Sequence, residues 1–141
     1  MRLVLDSSVA IKWFLAEADS GKALRIRDDY RQGIHELIAP DIYPVEVAHS
    51  LTRAERQLRI TPVEGLNHFQ DMLGTLPILH RYLPLLPRAY QISSQARQGV
   101  YDCLYVALAE REGCELLTAD DKLVRNLQPS FSFIRSLASI T

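Results

Sequence analysis

The sequence predicts one α/β domain over residues 1–141, built on a mainly parallel sheet with helices packed around it. Three observations lead there. Short apolar runs alternate with longer segments of helical period along the whole chain. Glycines and proline-led capping sequences punctuate the helical segments. No internal repeat, low-complexity tract or long linker interrupts the alternation.

Taken in order, residues 2–5 form a short apolar strand, and residues 8–15 and 20–32 read as helices, the second stopped by Gly33. A second strand spans 37–39. Residues 41–58 carry Ile42, Val45, Leu51, Ala54 and Leu58 at mixed three- and four-residue steps, which predicts a helix. The next helix start is well marked: Thr61, Pro62 and Glu64 supply an N-cap, an N1 proline and a capping-box partner, and the helix runs to Gly74. A weak strand at 78–81 precedes helices at 86–98, stopped by Gly99, and 101–112, stopped by Gly113. A strand at 114–118, a short helix at 121–127 and a last strand at 131–134 complete the chain.

Composition narrows the function classes. Apolar residues make up 48% and charged residues 23%, ordinary for a soluble domain whose core needs no disulfide staples. Net charge is −1, which speaks neither for nor against nucleic acid. Lysine is scarce, Arg being the main basic residue; Arg suits bidentate phosphate contact, but an Arg-rich proteome produces the same bias. Cys103 and Cys114 form no CxxC pair, so they read as free thiols in a reducing compartment. The apolar N-terminus holds Asp6 and Lys12 and lacks a small-residue cleavage site, unlike a signal peptide. No apolar run is long enough to span a bilayer. A cytoplasmic protein with no membrane attachment is the expectation.

In a parallel α/β sheet the C-terminal ends of strands and the N-terminal ends of the helices share one edge, where ligands bind. Four acidic residues fall on it: Asp6 after the first strand, Glu46 early in the helix after the second, Asp102 at a helix start, and Asp120 beyond the fourth strand. Each has a plainer reading. Asp6 or Ser7, Asp102 and Asp120 are all placed to cap helices, and Glu46, set among Val45, Val47 and Ala48, could pair with an Arg. Gathered together, however, such carboxylates repel and raise one another's pKa values. A hard divalent cation, Mg²⁺ or Mn²⁺, relieves that repulsion and suits phosphodiester hydrolysis.

These residues resemble the PIN-domain family, and within it the VapC-type ribonucleases of bacterial toxin–antitoxin pairs. The matching pieces are Val4-Leu5-Asp6-Ser7-Ser8, Glu46 in its helix, residues 101–109 (YDCLYVALA) and residues 116–120 (LLTAD). The stretch from about Leu58 to Gln98 adds only length and helix content. The resemblance implies a three-layer domain with about five parallel strands in the order 3-2-1-4-5. It implies Mg²⁺ or Mn²⁺ held by Asp6 and Asp102, with Glu46 and Asp120 completing the acidic set. Ser8 matches a small polar position by the site and Thr118 a brace for the acidic loop, while Asp121 is left as a cap or an exposed charge. It further implies an RNA substrate, a cognate antitoxin, a homodimer, and a peptide-like antitoxin segment docking near Trp13. Lys12 and Arg53 are the first candidates for gripping substrate, solvated surface charge being the plainer role for both.

Other constellations are weak. His35, His49, His68 and His80 have no zinc-like spacing, though His49 lies three residues after Glu46 and could share its face. No P-loop, GxGxxG or nucleophile elbow is present. The leading expectation is a metal-dependent endoribonuclease. The alternatives are a catalytically weak PIN scaffold that binds RNA or protein, and a small-molecule phosphate-ester hydrolase, which the lack of DxD after the first strand disfavours.

Overall fold

The computed structural model describes residues 1–141. Five strands, β1 (Arg2–Leu5), β2 (Glu36–Pro40), β3 (Ile78–His80), β4 (Glu115–Thr118) and β5 (Ile134–Ser136), form one sheet in the order β3-β2-β1-β4-β5. Every pairing is parallel. The central strands are apolar on both faces, as a sheet covered by helices requires: Val4, Leu5, Leu37, Ile38, Leu116 and Leu117 are all buried.

Seven helices flank the sheet: α1 (Ser7–Ala10), α2 (Ser20–Arg31), α3 (Tyr43–Arg56), α4 (Pro62–Gly74), α5 (Leu86–Ala96), α6 (Val100–Glu112) and α7 (Asp121–Leu127). Helix α6 is buried on all sides from Cys103 to Ala109, because it lies against β1, β2 and β4 and is covered by α5. It ends at Gly113 in the left-handed conformation, φ 63°. A Cβ there meets no other atom, so Gly113→Ala is expected to cost only the backbone term, about 1 kcal/mol in urea unfolding.

Differences from the sequence reading are local. The first helix splits into α1 and a 3₁₀ turn, Ile11–Trp13. In α3 the buried stripe is Tyr43, Val47, Leu51 and Ala54, whereas Val45 is exposed, as is Leu58, which lies past the helix end at Arg56. Helix α5 stops at Arg97, left-handed at φ 54°, two residues before Gly99. The last strand starts at Ile134 rather than Phe131, because Ser132 and Phe133 form a turn closed by the Ile134 N–H donating to the Phe131 carbonyl (3.1 Å), and the Phe131 and Phe133 rings pack edge to face. The capping box at Thr61 and Glu64 forms as its sequence predicts.

Trp13 packs in the core: it is 7% exposed and its indole N–H donates to the Ala23 carbonyl (2.8 Å). No helix is long and apolar enough to cross a membrane.

Candidate active site

Strands β1 and β4 are neighbours, so the residues leaving their C-terminal ends meet. Asp6 continues the ladder by one bond, its N–H donating to the Leu117 carbonyl (3.0 Å). Its side chain is only 4% exposed and does not cap α1. Instead Oδ2 accepts from Ser8 Oγ and from Thr118 Oγ1, both at 2.7 Å, which leaves Oδ1 without a protein partner. Thr118 Oγ1 also accepts from the Asp120 N–H (3.1 Å), and Ser8 Oγ from the Ala119 N–H (3.0 Å). Ser8 and Thr118 thus tie the two acidic loops together.

Asp120 caps a helix and keeps one carboxylate oxygen free. Its Oδ1 caps α7, accepting from the N–H groups of Lys122 (3.0 Å) and Leu123 (3.2 Å), while its Oδ2 has no protein partner. Asp121, the first residue of α7, is exposed and makes no cap. Asp102 does not cap α6 either, for Gly99 holds that position; its Oδ2 accepts from Gln98 Nε2 (2.8 Å). Glu46 has no Arg partner. Its Oε1 accepts from Tyr105 Oη (2.6 Å) and Ser7 Oγ (3.2 Å), so two hydroxyls satisfy the half-buried carboxylate.

Asp6, Asp102 and Asp120 line one polar cleft of about 300 Å³ together with Ser7, Ser8 and Lys12. Glu46 stands at its border through Ser7. Lys12 is held by Glu17 (3.5 Å), which also lines the cleft, as does Ser50. Arg53 lies one turn beyond Ser50 on α3, exposed and outside the cleft, and His49 is exposed. Sequence reasoning did not assign roles to Tyr105, Gln98, Ser50 or Glu17. Tyr105 carried a usable signal, since it follows Asp102 by one helical turn.

The carboxylates are electrostatically unsatisfied. Burial, reinforced by the charges of Asp102 and Glu46, pushes the Asp6 carboxyl up to about 7 against the opposing bonds from Ser8 and Thr118. Burial likewise raises Glu46 and Asp102, and the neighbouring charge adds to each: Asp102 acts on Glu46, and Asp120 on Asp102. The four side chains therefore converge on one region of negative charge.

Oxygen-only donors with free lone pairs and raised pKa values fit a hard divalent cation. No three His, Cys, Asp or Glu side chains close into a ready-made ligand cage. A largely hydrated cation needs only one or two carboxylates, so the donor set still fits.

Residues 3–126 match the family model for the PIN domain. This chain belongs to the PIN-domain family. Among PIN relatives, Ribonuclease VapC12 of Mycobacterium tuberculosis is 36% identical over 128 residues, covering 88% of this chain and 91% of its own. Ribonuclease VapC3 of Pyrobaculum aerophilum is 32% identical over 125 residues, 87% of this chain and 92% of its own. The crystal structure of PAE2754 from Pyrobaculum aerophilum superposes with a TM-score of 0.71 at 18% identity, over 99% of this chain and 94% of that one. The PIN strand order 3-2-1-4-5 expected from the resemblance is the order found.

Proposed function

We propose that the chain, acting as one domain, is a metal-dependent endoribonuclease that serves as the toxin of a toxin–antitoxin pair. The observation that carries this reading is the acidic cleft, in which Asp6, Asp102 and Asp120 meet with Glu46 at the border. Relatives named as VapC ribonucleases, matched over most of their length, support RNA as the substrate.

Asp6, through its free Oδ1, and Asp102 would hold the cation, with Mg²⁺ or Mn²⁺ favoured by the all-oxygen donor set. Bound there, a divalent cation supplies positive charge against the scissile phosphate and lowers the pKa of a water. Glu46, fixed by Ser7 and Tyr105 with Oε2 free, accepts the proton of the attacking water. Asp120 orients water at the opposite loop while capping α7. Lys12 contacts substrate phosphate from the cleft wall; Arg53 does so only where RNA continues along α3.

Calorimetric titration with Mg²⁺ and Mn²⁺, paired with RNA cleavage assays with and without chelator, tests the reading. Cation uptake and chelator-sensitive cleavage are expected. Cation uptake without cleavage would leave a binding scaffold, and no uptake would end the proposal.

Removing the Tyr105 hydroxyl is a finer test. Its bond holds the Glu46 pKa down against burial, so Tyr105→Phe raises that pKa further. Glu46 must be ionised to accept a proton. The acid limb of the pH–rate profile should therefore move to higher pH, with activity near wild type once Glu46 is ionised.

A cytoplasmic location, a cognate antitoxin and a homodimer complete the proposal. Large apolar side chains left exposed along α4, Val63, Leu66 and Leu73, offer surface for a protein partner. Light scattering of the isolated chain and of the chain co-expressed with the adjacent gene product measures both assemblies.

A further inference from the structure

A second recess, of about 450 Å³, opens beside the acidic cleft. Ile42 and Leu104 are among its apolar walls, Tyr82 and Tyr101 bring aromatic rings, and Asp41 and Glu46 are its acidic groups. It adjoins the cleft at two points. Glu46 lines the recess while its hydrogen-bond partner Ser7 lines the cleft. Tyr101 lines the recess while Asp102, the next residue, lines the cleft.

We propose that this recess is a nucleobase subsite, receiving the base next to the scissile phosphate and stacking it on Tyr101 with Tyr82 opposite. The inference rests on the ribonuclease reading and adds a specificity pocket to it. Three features select this occupant. No Lys or Arg lines the recess, and its two ionisable groups are carboxylates, so a backbone phosphate is repelled while a neutral base is not. Tyr101 and Tyr82 are 61% and 42% exposed, aromatic surface of the kind on which single-stranded bases stack. The Asp41 carboxylate uses Oδ1 to accept from the Tyr82 N–H (3.0 Å) and keeps Oδ2 without a protein partner.

Carboxylates only accept hydrogen bonds, so the subsite favours a base with an exocyclic amino group, cytosine, adenine or guanine, over uracil, whose one donor, N3–H, lies between two carbonyl oxygens that a carboxylate repels. Tyr101 and Asp41 act here as specificity-determining residues; neither touches the reacting atoms.

The test combines protein variants with RNA carrying an abasic nucleotide at each position around the cut. In the Asp6→Asn background, which binds without cutting, Tyr101→Ala should weaken RNA affinity by roughly 10- to 100-fold, and Tyr101→Phe should keep it. In the active chain, Tyr101→Ala raises KM while Mg²⁺ binding stays unchanged. One abasic position should produce the same loss in the parent chain and no further loss with Tyr101→Ala. Asp41→Asn should relax the preference against uracil at that position.

Affinity that ignores both Tyr101→Ala and every abasic position overturns the subsite while leaving the nuclease intact. Loss of affinity that tracks dissociation of a dimer in sedimentation overturns it too, and assigns the face to a second copy. If the parent chain cleaves no RNA with Mg²⁺ or Mn²⁺, the ribonuclease reading fails and the subsite falls with it.

Discussion

Asp6→Asn is expected to lower metal-dependent RNA cleavage by about a thousandfold or more, while the fold stays intact. The substitution is nearly isosteric, and an Asn oxygen can still accept from Ser8 and Thr118, so the tie between the two acidic loops survives. What disappears is the one buried negative charge with an oxygen free of protein partners at the centre of the cleft. Removing a single preorganised charge-stabilising contact in an active site typically costs two to three orders of magnitude. Losing the charge that holds the cation costs at least that. Initial rates at saturating Mg²⁺, alongside circular dichroism and a thermal melt, check it. Wild-type rates in a clean, folded Asp6→Asn preparation would refute the assignment.

The same variant should be more stable than the parent in the absence of metal, and the gap should depend on pH. The Asp6 carboxyl titrates at about 7 in the folded chain against a reference of 3.8, chiefly because it is buried. Between those values the folded state binds more protons than the unfolded state, so stability falls as pH rises. The contribution of protonated Asp6 is fully present below about pH 4 and lost as pH rises through about 7. A shift of this size corresponds to about 4 kcal/mol. Neutral Asn escapes the loss. Urea unfolding in chelator should show Asp6→Asn exceeding the parent by a few kcal/mol at pH 8, with the gap closing towards pH 4. Saturating Mg²⁺ should restore much of the parent's stability, because a ligand that binds only the folded state stabilises it by mass action. A gap that stays constant with pH would mean that Asp6 is ionised without penalty.

These outcomes share one cause: a binding site stores unfavourable electrostatics that a ligand relieves. Ser8, Thr118, Ser7, Tyr105 and Gln98 each donate to one of the carboxylates, and these bonds oppose the raised pKa values without cancelling them. The chain keeps its acidic groups positioned but incompletely neutralised.

Much of the fold was legible because its signals are local. The capping box at Thr61, the glycine stop at Gly113 and the apolar strand runs act within a few residues, and each appears where expected. The errors arose where tertiary packing overrode local pattern. Val45 and Leu58 looked like core by spacing, yet the face of α3 that meets the rest of the chain carries Tyr43, Val47, Leu51 and Ala54. Phe131 and Phe133 read as strand but are spent on a turn and an aromatic pair.

By itself the sequence determined the alternation of strands and helices, and with it the placing of Asp6, Glu46, Asp102 and Asp120 on one edge of a parallel sheet. That follows because strand ends and helix starts must share an edge whenever helices connect parallel strands. Only the tertiary structure decided what those side chains do there. It chose caps for Asp120 but not for Asp6 or Asp102, gave Glu46 two hydroxyls in place of an arginine, and opened a tyrosine-lined recess alongside. Such choices depend on contacts between residues as far apart as Asp6 and Thr118. No local periodicity carries them, because they are set by which strands lie side by side and which rotamers the packed core permits.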